Sequence, residues 1–167
     1  TFFFFSGRRE TGIVENWYNR KTQADEARFH PRERNTGKRM NSPEILAPVG
    51  GEEQLLAAVR CGANAVYLGG KLFNARRNAE NFGETDLAKA VSYCHARGVK
   101  VYVTVNTIVL DSEMEALEAE AEAIAAAGAD AVILQDRAAL QLFLGRYPSI
   151  QRHASTQTAV HNVDGAK

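Results

Sequence analysis

Two cysteines, Cys61 and Cys94, are all that this chain of 167 residues contains. That is too few for a disulfide framework, and no other ligand stands near them at metal-binding spacing. Each falls in a stretch with helical periodicity, where a thiol behaves as a small hydrophobe, so a reducing, cytoplasmic setting is expected. No apolar run approaches the length of a membrane span, which speaks against a membrane partner. Phe2-Phe3-Phe4-Phe5 is too short for a signal-peptide core and has no basic region before it. An excess of one charge is missing too: 20 Lys and Arg offset 20 Asp and Glu. No global field therefore draws the chain to nucleic acid or to a lipid surface.

The charge is unevenly spread. Residues 1–39 carry nine basic and five acidic side chains, and the remainder carries eleven and fifteen. The first segment also scatters Gly7, Gly12, Pro31 and Gly37 with no sustained period of 2 or 3.6. It is expected to be disordered or extraneous to the fold, with Met40 as a natural start. Residues 40–167 are long enough for one buried domain or for a piece of a larger one.

Within that region one pattern recurs. Gly62-Ala63-Asn64-Ala65-Val66-Tyr67-Leu68 returns as Gly128-Ala129-Asp130-Ala131-Val132-Ile133-Leu134, with Arg97-Gly98-Val99-Lys100-Val101-Tyr102-Val103 as a looser copy between them. A glycine followed by a β-branched run is how a helix stops in a left-handed residue and feeds a buried strand. A period of about 30 to 35 residues points to βαβ units and a parallel sheet.

The elements follow in order. Glu44 to Pro48 reads as a strand, Gly50-Gly51 as a turn, and Glu52 to Cys61 as a helix with Leu55, Leu56 and Val59 on one face. Ala65 to Leu68 is a second strand and residues 71–83 a polar loop. Thr85 is placed to cap a helix carrying Leu87, Val91 and Cys94. Lys100 to Thr107 alternates Val101, Val103 and Val105 with Tyr102, Thr104 and Asn106. Ser112 to Glu115 reads as a capping box before Met114, Leu117, Ala121 and Ile124. After a strand at Ala131 to Leu134, Asp136 is placed to cap the next helix, Ile150 to Gln157 forms a fifth strand, and Asn162 to Lys167 reads as a helical first turn.

The class is α/β: a partial TIM-type (β/α) barrel of about four and a half β/α units with a parallel sheet, a closed barrel needing eight. An open doubly wound sheet is the alternative, although no G-x-G-x-x-G follows the first strand. Barrel sites lie at the C-terminal ends of the strands, which selects the candidates. The loop after the second strand offers Asn74, Arg76, Arg77 and Asn78, with arginine suited to gripping a carboxylate or phosphate. Arg76 as an anion clamp is one reading, and a solvated loop is the other. If the aliphatic side of the third strand packs outward, Tyr102, Thr104 and Asn106 point into the barrel. The same register puts His153, Ser155 and Gln157 on the inner face. Either a ligand or a structural hydrogen-bond network satisfies them. Asp136, His153 and Ser155 do not read as a triad, because side chains two apart on one strand are about 7 Å apart and Asp136 is placed as a cap. His95 and His161 lack metal-ligand spacing, so no metal site is expected.

Glu44-Ile45-Leu46-Ala47-Pro48-Val49-Gly50, Gly62 to Gly70, Asn74-Ala75-Arg76, Val105-Asn106-Thr107, Gln135-Asp136 and His153-Ala154-Ser155-Thr156-Gln157 stand in the order found in the collagenase-like peptidases. Over residues 43–164 the chain resembles the N-terminal barrel portion of that family, peptidase U32. The resemblance adds Gln135 to the substrate-binding candidates and implies proteolysis of collagen-like substrates. It equally implies the alternative that other members represent, hydroxylation of RNA bases or of a ubiquinone precursor. Some members hold a four-iron four-sulfur cluster through a cysteine signature downstream of this sequence, so an iron–sulfur cluster is expected only in a longer protein and no cofactor in this chain. The fragment is expected to be inactive alone, and a non-catalytic assembly module is the remaining reading. The partner that either reading expects is the rest of its own barrel, or a second chain, along the open sheet edge.

Overall fold

The computed structural model describes residues 43–76 and 79–165. The segment 1–39, expected to stand outside the fold, lies outside the described residues, as do Arg77 and Asn78. Five strands form the sheet: β1 (Leu46–Pro48), β2 (Ala65–Gly69), β3 (Lys100–Val105), β4 (Ala131–Leu134) and β5 (Gln151–Ala154). Four helices alternate with them: α1 (Glu52–Arg60), α2 (Glu84–His95), α3 (Met114–Ala127) and α4 (Arg137–Arg146). All four strand pairs are parallel and the spatial order is the sequence order. A doubly wound sheet reverses its strand order partway, so this alternative fails. Among the described residues β1 and β5 each have one neighbour, and the sheet is not closed.

The glycine repeat makes the junctions. Gly62, Gly98 and Gly128 sit at φ of +85°, +70° and +80°, a region that costs other residues a Cβ clash. The following amide then reaches back to the last turn each time: Ala63 N to Ala58 O at 3.1 Å, Val99 N to Cys94 O at 3.0 Å, and Ala129 N to Ile124 O at 3.3 Å. The polar third residue ties the incoming strand to the previous one. The Asn64 Oδ1 accepts from Ile45 N at 2.8 Å, and the Asp130 Oδ2 accepts from Val101 N at 2.7 Å.

Alternation divides the sheet into two faces. Val66, Leu68, Val101, Val103, Val105, Val132 and Leu134 are buried on the outer side, as are Leu55, Val91, Leu117, Ile124 and Phe143 of the helices that pack there. Each such side chain contributes about 1.5–3 kcal/mol when fully buried. The inner side holds Tyr67, Tyr102, Ala131 and Ile133 around a small cluster with Ala65.

Several boundaries differ from the sequence reading. Helix α2 starts at Glu84, and its N-cap is the extended Gly83 with no side-chain cap, so Thr85 lies inside the first turn. Before α3 a single 3-10 turn covers Asp111–Glu113, and the Glu113 carboxylate accepts from Leu110 N at 2.9 Å. The capping exchange thus falls two residues earlier than the Ser112–Glu115 reading. Cys61 follows the end of α1 and is exposed. Among the described residues Asn162 to Gly165 forms a turn, closed by Gly165 N donating to Asn162 Oδ1 at 2.7 Å, and the rest of the expected helical turn lies outside them. The expected cap at Asp136 is present, its Oδ1 accepting from Ala138 N at 2.7 Å.

Candidate functional site

Residues 71–76 leave β2, and 79–83 return over the C-terminal rim. Gly69 makes room for this: a Cβ there would overlap the Asn74 amide. Asn74 is 4 % exposed, and a buried amide needs partners. Its Oδ1 lies 3.1 Å from the Thr104 hydroxyl and accepts from Arg76 N at 3.1 Å, while its Nδ2 donates to Asn81 Oδ1 at 2.8 Å. Asn81 Nδ2 in turn donates to Arg76 O at 3.0 Å. The Arg76 backbone is therefore held at both its N–H and its C=O. Asn81 takes a left-handed conformation at φ +52°, which Asn tolerates. Phe73 does so at the same φ, where a bulky side chain is strained. Two bonds to the end of β3 hold that stretch down: Asn106 N donates to Phe73 O at 2.8 Å, and Asn106 Oδ1 accepts from Ala75 N at 3.1 Å.

Held in this way, Arg76 lays its guanidinium over the Tyr67 ring, the central carbon 5.0 Å from the centroid and Nη2 3.4 Å from the hydroxyl. The side chain is exposed, and among the described residues no carboxylate pairs with it. Tyr102, beside Tyr67 in register, meets the His153 ring edge-on at 4.8 Å and 84°. His153 is half-buried on the inner face of β5, and its ring nitrogens make no hydrogen bond among the described residues.

Deeper on the inner face, Tyr102 donates its hydroxyl proton to Glu44 Oε1 at 2.6 Å, and Lys100 Nζ lies 3.0 Å from Glu44 Oε2. The Tyr102 hydrogen bond, then Lys100, holds the Glu44 carboxyl below its usual range. Burial, then Glu44, pushes the Tyr102 phenol up. This trio ties β3 to the chain entering β1.

The sequence candidates divide three ways. Asn74, Arg76 and Asn106 come together in the rim network. His153 joins it through Tyr102, and Gln135 sits half-buried one residue past β4 with no hydrogen bond among the described residues. Ser155 is buried, but its Oγ accepts from Gln157 N at 3.2 Å as the cap of a 3-10 turn at Thr156–Thr158. That turn ends the strand at Ala154, so Gln157 is exposed and off the inner face, contrary to the period-2 reading. Asp136 spends its other oxygen on Val109 N at 3.3 Å, so Asp136, His153 and Ser155 form no triad. Tyr67 and Asn81 went unmarked in the sequence: Tyr67 belongs to a strand whose other residues are apolar, and Asn81 gains its role only through the backward fold of the loop.

Among the described residues no group of three or more His, Cys, Asp or Glu side chains gathers to hold a metal. Burial pushes the Cys94 thiol up to about 12. Cys61 is exposed at the end of α1, and an iron–sulfur cubane takes four ligands, so these two thiols do not fit one. No described helix is long and apolar enough to cross a membrane. A cavity of about 380 Å³ lined by Lys100, Asp130 and Gln151 lies at the N-terminal ends of the strands, away from the rim.

A sequential parallel α/β sheet with a polar loop network at the C-terminal strand ends defines a barrel-type (β/α) scaffold. The family model for peptidase family U32 matches residues 50–167. The chain belongs to that family. It is 36% identical over 129 residues to a Porphyromonas gingivalis collagenase, covering 77% of this chain and 31% of that protein. It is 35% identical over 128 residues to tRNA hydroxylation protein P1 of Bacillus subtilis, covering 75% and 30%. It is 40% identical over 124 residues to the 23S rRNA 5-hydroxycytidine C2501 synthase of Escherichia coli, covering 74% and 18%. The chain thus spans under a third of the length of these relatives. The solved structure of the U32 peptidase Mk0906 superposes with a TM-score of 0.62 at 14% identity, over 82% of this chain and 57% of that one, and shares the fold.

Proposed function

We propose that this chain is the N-terminal part of a U32-family enzyme of RNA-base hydroxylation, and that its rim receives the target nucleotide. The observation that carries the reading is the Arg76 guanidinium lying over the Tyr67 ring, beside the half-buried His153 imidazole. Guanidinium and aromatic faces are what unstacked RNA bases pack against, and the bases are then read by side-chain amides such as those of Asn106 and Gln135. The Bacillus and Escherichia relatives named for tRNA and rRNA hydroxylation support it. Any iron–sulfur cluster in this reading draws its ligands from outside this chain. The two free thiols accord with a cytoplasmic enzyme.

The second reading is a hydrolase of the collagenase kind, favoured by the Porphyromonas relative. It has less support from the geometry, since the Ser155 hydroxyl is committed to a turn and Cys94 is a buried neutral thiol. In both readings the exposed Leu46 on β1, and Leu140 and Leu144 on α4, are covered by the remaining β/α units. Nucleoside mass spectrometry of tRNA and rRNA from a deletion strain tests the first reading, and loss of one hydroxylated nucleoside is expected. Unchanged nucleosides, together with gelatin cleavage by the full-length protein, would move the assignment to the second.

A further inference from the structure

From the Arg76 geometry we infer that the β2–α2 loop is a phosphate clamp for the RNA backbone, with Arg76 as the positioning contact and Tyr67 as its platform. The inference rests on the RNA reading of the rim. Three observations carry it. The guanidinium is exposed and pairs with no described carboxylate, so the donors other than the Nη2 proton directed at the Tyr67 hydroxyl are open to an external anion. The Arg76 backbone is fixed by Asn74 at its N–H and by Asn81 at its C=O, at 3.1 and 3.0 Å. The guanidinium carbon rests 5.0 Å from the Tyr67 ring centroid, with Nη2 3.4 Å from its hydroxyl. A salt-bridging or merely solubilising arginine needs none of this restraint. A planar fork held in advance presents paired N–H donors to an oxyanion with less entropy to lose on binding.

The neighbouring surface says which oxyanion. The half-buried Tyr67 and His153 rings lie beside the guanidinium, braced from below by the buried Tyr102, so the ligand carries a flat apolar part next to its negative group. A nucleotide has that shape, its base against the rings and its phosphate on the fork. The Lys100 ammonium stands at the opposite end of β3 and is paired with Glu44, and the Lys71 ammonium donates to Glu80 O at 2.7 Å.

The test is a fluorescence-anisotropy titration of the full-length protein with a labelled oligouridine, with uridine 5′-monophosphate, uridine and succinate as competitors. Wild type is expected to bind the oligonucleotide and to prefer the monophosphate over the nucleoside. Arg76→Ala should weaken oligouridine binding about tenfold to a hundredfold and remove that preference. It should also flatten the slope of log affinity against log salt by about 0.7, one phosphate contact on a single strand. Arg76→Lys keeps the charge without the fork and is expected to recover only part of the loss. If wild type binds oligouridine but Arg76→Ala leaves both the salt slope and the monophosphate preference intact, the clamp is wrong while the RNA reading stands. Arg76-dependent competition by succinate stronger than by the monophosphate would also overturn it, in favour of a carboxylate ligand. If wild type binds no RNA at all, the reading on which the clamp rests falls with it.

Discussion

Asn74 donates through Nδ2 to Oδ1 of Asn81 at 2.8 Å, and this bond joins the two side chains that hold the Arg76 peptide from either side. Asn74 is the buried partner and Asn81 the half-buried one. Removing the first leaves the Arg76 N–H and the Asn81 Oδ1 short of a partner, while the Thr104 hydroxyl keeps Leu68 O at 3.1 Å. Asn74→Ala is expected to cost about 1–3 kcal/mol and Asn81→Ala about 0.5–1.5, measured by urea unfolding of the full-length protein. Equal losses for the two would contradict the buried hub.

The loop seats where Gly69 has no side chain. Gly69→Ala pushes a methyl group into the Asn74 amide, so the loop must shift away from β2. Hydrogen exchange at the amides of Ala75 and Asn106, both bonded across this junction, should accelerate. Unchanged protection at both would show that the loop is held by something else.

Two carboxyls give opposite acid responses. The pKa of Glu44 is lowered in the folded state by Tyr102 and Lys100, so its contribution is present above the ordinary value of 4.5 and fades as pH falls through the lower folded value. Glu44→Gln should therefore flatten the stability loss in acid. The pKa of Glu120 is raised, first by desolvation and then by the nearby Glu84, and its carboxylate presses against Gly70. Its stabilising form is the neutral one, lost as pH rises through the raised value. Glu120→Gln should consequently stabilise the protein at neutral pH and have no effect near pH 4, as read from melting temperatures across that range. A lower melting temperature at neutral pH would contradict the desolvation.

Most of the scaffold was readable in the chain because one short-range rule generates it. Gly62, Gly98 and Gly128 force the left-handed stop, and the β-branched runs after them have no polar side to leave in water. The alternation of Val101, Val103 and Val105 with Tyr102 and Thr104 fixed inside and outside before any contact was known. The site was less legible. Asn74 and Arg76 stood out as polar loop residues, but their mutual bonds depend on Asn81 folding back from seven residues away. Ser155 and Gln157 look like strand residues by period, and a local hydroxyl-to-amide cap outcompeted the ladder. Thr85 and Ser112 were favoured caps by type, yet Gly83 and the Leu110–Glu113 exchange took those places.

The outer face is a close-packed core with Phe143 fully buried at its centre. Phe143→Ala should cost about 3–5 kcal/mol in urea unfolding, with no change in the midpoint of RNA binding per folded molecule. A loss of affinity among folded molecules would mean that α4 acts on the rim.

The most direct measurement of the central account is nucleoside mass spectrometry on RNA from cells whose chromosomal copy carries Arg76→Ala at normal protein level. The account predicts that one hydroxylated nucleoside falls by about tenfold or more, as expected for losing a charged, bidentate contact. Wild-type levels of every hydroxylated nucleoside, alongside a gelatin-cleaving activity that the same substitution abolishes, would contradict it.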